Sequence, residues 1–231
     1  SFMSTASHEF VHTWNVKAYR PSGLVPYDYQ EENFTDLFWI AEGSTSYFQN
    51  HLLLHAGIME PSEYFERVAT SIDRHKAKPG REEMSVAEAS FEAWIDQYGD
   101  RAHNDSVNIY SEGALVSWML DSELLETTEG EVSYRDIHNE LYQRFDADHE
   151  GFTAADVLTI LKELTGRSWQ NWWQNNVETP ADIPFEAMLE RVGLELVYEK
   201  DDEPEVWAGW NANDTSGGME LTRVSKGSPA W

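Results

Sequence analysis

"SHEFVHTWNVK", Ser7 to Lys17, is the stretch on which the reading of this chain turns. Residues four apart on an α-helix lie about 40° apart in rotation and one turn along. His8 and His12 can therefore aim two imidazole nitrogens at one point. Glu9 is rotated about 100° from His8, which sets its carboxylate beside that point rather than on it. This is the HExxH pattern for a Zn²⁺ ion with a neighbouring proton acceptor. An ordinary helix with solvated histidines spells the same letters, so the reading depends on a third ligand.

Glu42, in "WIAEGSTSY", is the candidate. It interrupts the apolar run Leu37-Phe38-Trp39-Ile40-Ala41, and a carboxylate emerging from a buried face needs a partner. Metal ligation supplies one, whereas a salt-bridged helix glutamate is the plainer alternative. Ser46, one turn further on, is a candidate to hydrogen-bond a ligand. His51 and His55 also stand four apart, but Leu52 occupies the place of the base. On an ideal helix they point roughly 180° and 220° away from Glu42, which makes them surface or interhelix histidines.

Two further segments carry chemistry-like patterns. Tyr110, in "NIYSEGALVSWMLD", is a phenol at the first turn of a helix expected to be buried, and Gly113 permits close backbone approach. "DADHEGFTAADV" resembles the start of a calcium loop, with Asp146, Asp148, Glu150 and Gly151. Val157 stands where such a loop uses a bidentate Glu, however, so a turn followed by a Thr153 N-cap is the better reading.

The rest of the chain is read as mainly helical. Helices are expected in "TASHEFVHTWNV", from Thr35 to a Gly57 C-cap, in "EPSEYFERVATSIDRH" with a Ser62 N-cap, and in "SVAEASFEAWIDQYG". Others follow in "NIYSEGALVSWMLDSELLE", "SYRDIHNELYQRF", "TAADVLTILKELTG", "SWQNWWQNN" and "PFEAMLERVG". After Gly193 the pattern becomes β-like in "LELVYEK", "VWAGWNAND" and "MELTRVSKG", with turns at "DDEPE" and "TSGG". The expected division is 1–195 as a helical unit and 196–231 as a β-rich unit too short for its own core.

The chain of 231 residues carries 42 acidic and 16 basic residues, a net charge of −26. That field argues against nucleic-acid binding and against anionic membrane surfaces. Its spread along the chain suggests adaptation to high salt. No apolar run is long enough to cross a membrane. Cysteine is absent, which excludes disulfides and thiolate metal ligands.

"SHEFVHTWNVKAYRP", "PYDYQEENFTDLFWIAEGSTSYF" and "IYSEGALVSWMLD" together resemble the bacterial glycyl aminopeptidase family of zinc metallopeptidases, which are gluzincins with a thermolysin-like catalytic domain. "WAGWNAND" and "GGMELTRVSKGSPAW" resemble the opening strands of the PDZ domain that follows in these proteins. The resemblance implies a mainly α fold: the helical part of a thermolysin-like catalytic domain, then a truncated PDZ-like segment. It implies His8, His12 and Glu42 as ligands of one Zn²⁺ per chain, Glu9 as general base and Tyr110 as transition-state donor. Where the related enzymes read Y-x-K-G-A, this chain reads Tyr110-Ser111-Glu112-Gly113-Ala114, which alters the charge beside the tyrosine. "KAYRP" likewise departs from "KRIRP" and loses a basic residue.

The implied activity is hydrolysis of peptides with small N-terminal residues such as Gly or Ala, in a soluble bacterial protein of the cytoplasm or periplasm. The residues alone leave open an endopeptidase with the same zinc site and an inactive peptide-binding PDZ scaffold. The family architecture also implies an upstream β-rich domain and the sheet half of the catalytic domain before Ser1. The chain is accordingly expected to be a fragment that holds zinc poorly or does not turn over alone.

Overall fold

The computed structural model describes residues 2–95, 99–198 and 207–231. Among them the chain is mainly helical, with ten α-helices and one two-stranded sheet. Helix α1 spans Phe2–Val11 and α2 spans Ser44–His55; α3, Pro61–Lys76, packs beside α2. Short helices α4 (Val86–Phe91) and α5 (Gly99–Asn104) precede the long α6, Ser111–Thr127. The remainder is α7 (Tyr134–Arg144), α8 (Ala154–Thr165), α9 (Gln170–Asn176) and α10 (Phe185–Arg191).

Local chemistry sets most of these boundaries. Ser85, Ser133 and Thr153 each form a reciprocal capping box with the acid three residues on: Glu88, Asp136 and Asp156. The box at Thr153 is what the calcium-like "DADHEG" segment leads into. Asp146 itself is occupied by the Asp148 backbone N–H and by His149. Gly166 closes α8 in the left-handed conformation at φ 72°. The core is built around α6, α7 and α8, where Leu120, Leu124, Ile137 and Leu161 are fully buried. Trp39 and Trp173 meet in it with ring centroids 5.7 Å apart.

Several expectations are corrected. The first helix ends at Val11, not Val16, because the chain turns sharply to put Val16 at φ 99°. That conformation is costly for a β-branched residue. The helix expected from Thr35 begins instead with a π-helical turn at Trp39–Gly43, and α2 continues from it. Gly57 does adopt positive φ just beyond the end of α2. Helix α3 starts with Pro61 at its first position, so Glu60 rather than Ser62 occupies the cap. The helix after Ser85 stops at Phe91, and α5 follows unanticipated.

Near the C-terminus, residues 194–198 form no strand. Strands β1 (Trp210–Thr215) and β2 (Gly218–Val224) pair antiparallel through the expected "TSGG" turn. The "DDEPE" turn, residues 199–200 of "LELVYEK" and residues 96–98 of the helix after Ser85 lie outside the described residues. The hairpin sits against α5: Asn104 Nδ2 donates to the Val224 carbonyl, and Asn104 Oδ1 accepts from the Lys226 backbone.

Candidate metal centre

His8 and His12 face one another from successive turns of α1 and its end, and Glu42 meets them from the π turn. The His8 and His12 Nε2 atoms are 3.1 Å apart, and each lies 3.2 Å from the same oxygen of Glu42, Oε2. Among the described residues this is the group of three whose ligand atoms converge in this way. Around a tetrahedral ion with bonds near 2.0 Å, ligand atoms stand about 3.3 Å apart. The triangle therefore has the edge lengths that a zinc ion requires.

The outer hydrogen bonds decide what those three atoms present. His12 Nδ1 donates to the Asn15 carbonyl at 2.9 Å, and His8 Nδ1 faces Gln49 Oε1 at 3.0 Å. With both Nδ1 atoms engaged as donors, the two Nε2 atoms are left with lone pairs directed at a carboxylate. Three acceptors in contact repel unless a proton or a metal ion supplies positive charge. In its absence, protons do so. Burial alone would raise the Glu42 pKa, but hydrogen bonds from His12 and His8 and their charge pull it from 4.5 down to about 2. Burial would lower that of His12, yet Glu42, the Asn15 carbonyl and the charge of Glu9 together raise it. The donor set fits zinc, one ion held by two imidazoles and a carboxylate with one position open.

Asn15 is the residue that sequence reasoning missed. It is fully buried, and its side-chain Nδ2 donates to the Ile40 and Ala41 carbonyls and to Thr45 Oγ1 at 2.8–3.1 Å. These groups belong to the π turn and the start of α2. One side chain thus locks the turn that carries Glu42 to the helix that carries both histidines. Ser7 Oγ adds a bond to the Gln49 carbonyl at 2.8 Å. Among the described residues Ser46, by contrast, makes no hydrogen bond to the three ligands; the side chain that meets His8 is Gln49, one turn further along α2.

Tyr110 caps the start of α6, where the Asn108 side chain accepts from the Tyr110 and Ser111 backbone N–H groups. Its ring centroid lies 6.0 Å from that of His8. Burial raises the Tyr110 pKa, reinforced by the charges of Glu42 and Glu9, so the phenol stays protonated and available as a donor. Two glycines make this approach possible. A Cβ on Gly43 would lie 2.5 Å from the Gly113 backbone, and one on Gly113 would lie 3.0 Å from Gly43 Cα. Glu9 is exposed on α1, near enough for its charge to act on both His12 and Tyr110.

Glu112, the acid in the place of a related lysine, does not face this centre unpaired. It is buried and bonded to His75 Nδ1 of α3 at 2.9 Å. The pair satisfies a charge that would otherwise be stranded beneath Tyr110. His51 bridges α2 and α3, donating from Nδ1 to the Tyr47 carbonyl and accepting from Tyr64 OH at 2.8 Å. It belongs to helix packing, and His55 is exposed.

The family model described as M61 glycyl aminopeptidase matches residues 1–116, which include His8, Glu9, His12, Glu42 and Tyr110. A crystal structure of an aminopeptidase N family protein from Idiomarina loihiensis superposes with a TM-score of 0.86 over 98% of this chain, at 24% identity. At that identity the likeness shows the fold alone. This chain spans 41% of that protein's length. No curated protein matches the chain.

Proposed function

The chain belongs to the M61 glycyl aminopeptidase family, a family of peptidases, and from that premise we propose that it carries the zinc and proton-transfer machinery of an aminopeptidase. The substrates would be peptides with Gly or Ala at the N-terminus. The single observation that supports this most is the His8–His12–Glu42 triangle, whose 3.1–3.2 Å edges match a tetrahedral zinc ion. When bound, zinc supplies a Lewis acid that acidifies a water and polarises the scissile carbonyl.

The chain's own groups do the rest. His8, His12 and Glu42 would hold the ion, and Asn15 and Gln49 fix the imidazole orientations. Glu9, whose charge acts on His12 and Tyr110, would be the base that takes a proton from the attacking water and delivers it to the departing amine. Tyr110, protonated and with its ring centroid 6.0 Å from that of His8, would donate its O–H to the oxyanion that develops on the carbonyl. We read residues 196–231, with the β1–β2 hairpin, as the start of a PDZ-like unit.

The test is chelator-sensitive hydrolysis of glycyl and alanyl peptides by the protein, with zinc content measured alongside. Glu9→Gln should retain about one zinc per chain and lose activity by roughly 10²- to 10⁴-fold. Tyr110→Phe should also keep zinc and lower kcat with little change in KM. An undiminished rate in Glu9→Gln would falsify this mechanism.

A further inference from the structure

Tyr110 stands at the head of a groove that continues away from it, with walls from α2, α3 and α6. Its first part, about 290 Å³, is lined by Tyr110 and Ala114 of α6, Gln49 of α2 and Ser71 of α3. Two of these residues also belong to the surroundings of His8. Gln49 Oε1 lies 3.0 Å from His8 Nδ1, and the ring centroids of Tyr110 and His8 are 6.0 Å apart. A second part, about 640 Å³, extends the groove to Leu125 and Val192. Tyr47, His51, Tyr64, Val68 and Trp118 line both parts, so the two are continuous.

The polar atoms of this shared wall are already committed. Tyr47 OH donates to Asp121 Oδ2 at 2.6 Å, and Tyr64 OH donates to His51 Nε2 at 2.8 Å. His51 Nδ1 donates to the Tyr47 carbonyl at 2.9 Å. Burial lowers the His51 pKa, so the imidazole is neutral at ordinary pH. What the wall offers an occupant is ring surface and aliphatic carbon. At the far end Phe65, Leu125 and Val192 are exposed, and the cation there, Arg191, is held by Glu126 and Ser122. An uncharged wall rich in aromatics favours apolar side chains.

The occupant follows from the continuity with Tyr110. An aminopeptidase removes one residue, so all further length of its substrate lies beyond the scissile bond and needs a path away from the metal. Tyr110 to Trp118 is eight residues of helix, about 12 Å. An extended peptide covers that distance in about three to four residues.

We propose that this groove holds the downstream part of the peptide substrate, and that Tyr47, Tyr64 and Trp118 select a large apolar side chain about three or four residues beyond the scissile bond. The favoured substrates are then apolar oligopeptides rather than dipeptides. This inference rests on the peptidase reading of the metal centre.

The test compares two C-terminally amidated peptides, Gly-Ala-Ala-Phe-Leu and Gly-Ala-Ala-Ala-Ala, for hydrolysis by the zinc-loaded protein and for binding to Glu9→Gln by calorimetry. The apolar peptide should have a KM lower by about 10-fold or more, with kcat within about twofold. Trp118→Ala should remove most of that preference. Trp118 also packs near Phe185, with ring centroids 6.0 Å apart, so a second variant avoids the core. Ser71→Trp, at an exposed position on the groove, should raise KM for the apolar peptide and leave cleavage of glycyl-alanine amide unchanged. Equal KM values for the two peptides overturn the groove, as does a preference that survives both variants. If neither peptide is hydrolysed, binding to Glu9→Gln separates the two readings. Tighter binding of the apolar peptide, lost in a Glu9→Gln/Ser71→Trp double variant, keeps the groove and overturns the peptidase reading; equal binding of both peptides overturns the groove as well.

Discussion

Asn15 and Ile40 are joined by a side-chain-to-backbone hydrogen bond of 2.8 Å, through which the residue that orients His12 also holds the turn carrying Glu42. The π turn needs this help, because one extra residue in the helix leaves carbonyls off the regular ladder, and such turns cluster at functional positions. Asn15→Ala removes the Nδ2 bonds but keeps the backbone carbonyl that accepts from His12. Zinc affinity should fall roughly 10- to 100-fold, the usual effect of losing a group that orients a ligand. Competition with a fluorescent chelator measures it. An affinity equal to wild type would mean that the π turn holds Glu42 without Asn15.

The contact between Gly43 and Gly113 makes an ordered prediction about stability. Neither glycine has positive φ, so the demand at both is for space alone. A Cβ at position 43 would meet backbone atoms at 2.5 Å, and one at position 113 would meet them at 3.0 Å. Backbone cannot rotate aside as a side chain can. Gly43→Ala should therefore cost more than Gly113→Ala, with both in the range of about 1–3 kcal/mol for overpacking. Thermal unfolding followed by circular dichroism ranks the two, and the reverse order would contradict the packing described. Gly43→Ala should also lower zinc affinity, since Glu42 precedes it.

What the sequence reveals and what it hides differ in range and period. His8, Glu9 and His12 stand out because a regular helix converts i, i+4 spacing directly into shared direction. Glu42 stands out because a charge within an apolar run is expensive without a partner. Gly113 could be read as a close approach, though its partner Gly43 could not. The π turn is invisible to a 3.6-residue period, since one inserted residue changes register without changing composition. Asn15 carries no pattern; its importance comes from carbonyls 25 and 26 residues away. The His75–Glu112 bond spans 37 residues, so Glu112 reads in sequence only as a departure from a family motif. Helix α5, six residues long, is too short to show periodicity.

The pKa shifts predict opposite pH trends with and without metal. In the metal-free protein Glu42 is depressed from 4.5 to about 2. Its contribution to stability is thus complete above 4.5 and is lost as pH falls toward 2. His12 is raised above 6.5, so its contribution is complete below 6.5 and is lost as pH rises through the elevated value. Metal-free protein should gain most from this pair at mildly acidic pH. Zinc requires deprotonated imidazole, so its affinity should fall as pH drops through the raised His12 pKa. The melting-temperature increase caused by zinc should be larger near pH 8 than near pH 6. A zinc-induced increase that is flat or larger at the lower pH would contradict the assignment of His12 as a ligand.

The acidic surface sets a further expectation, for salt. Two electrostatic effects compete when ionic strength rises from about 0.1 M to about 1 M and the Debye length contracts from roughly 10 Å to 3 Å. Salt weakens exposed ion pairs such as Arg67–Glu63 and Arg144–Glu163, but each of these is worth at most about 1 kcal/mol. It also screens the mutual repulsion of a net charge of −26, which acts over the whole surface and is not confined to a few contacts. With 42 acids against 16 bases, most carboxylates have no cation to lose, so the second effect should dominate. The melting temperature should rise between low and molar sodium chloride. Charge-neutralising changes at exposed acids such as Glu31 and Glu32 should raise it at low salt and have less effect at high salt. A melting temperature that is level or falls with salt would show that local ion pairs, rather than overall repulsion, govern the electrostatic stability of this fold.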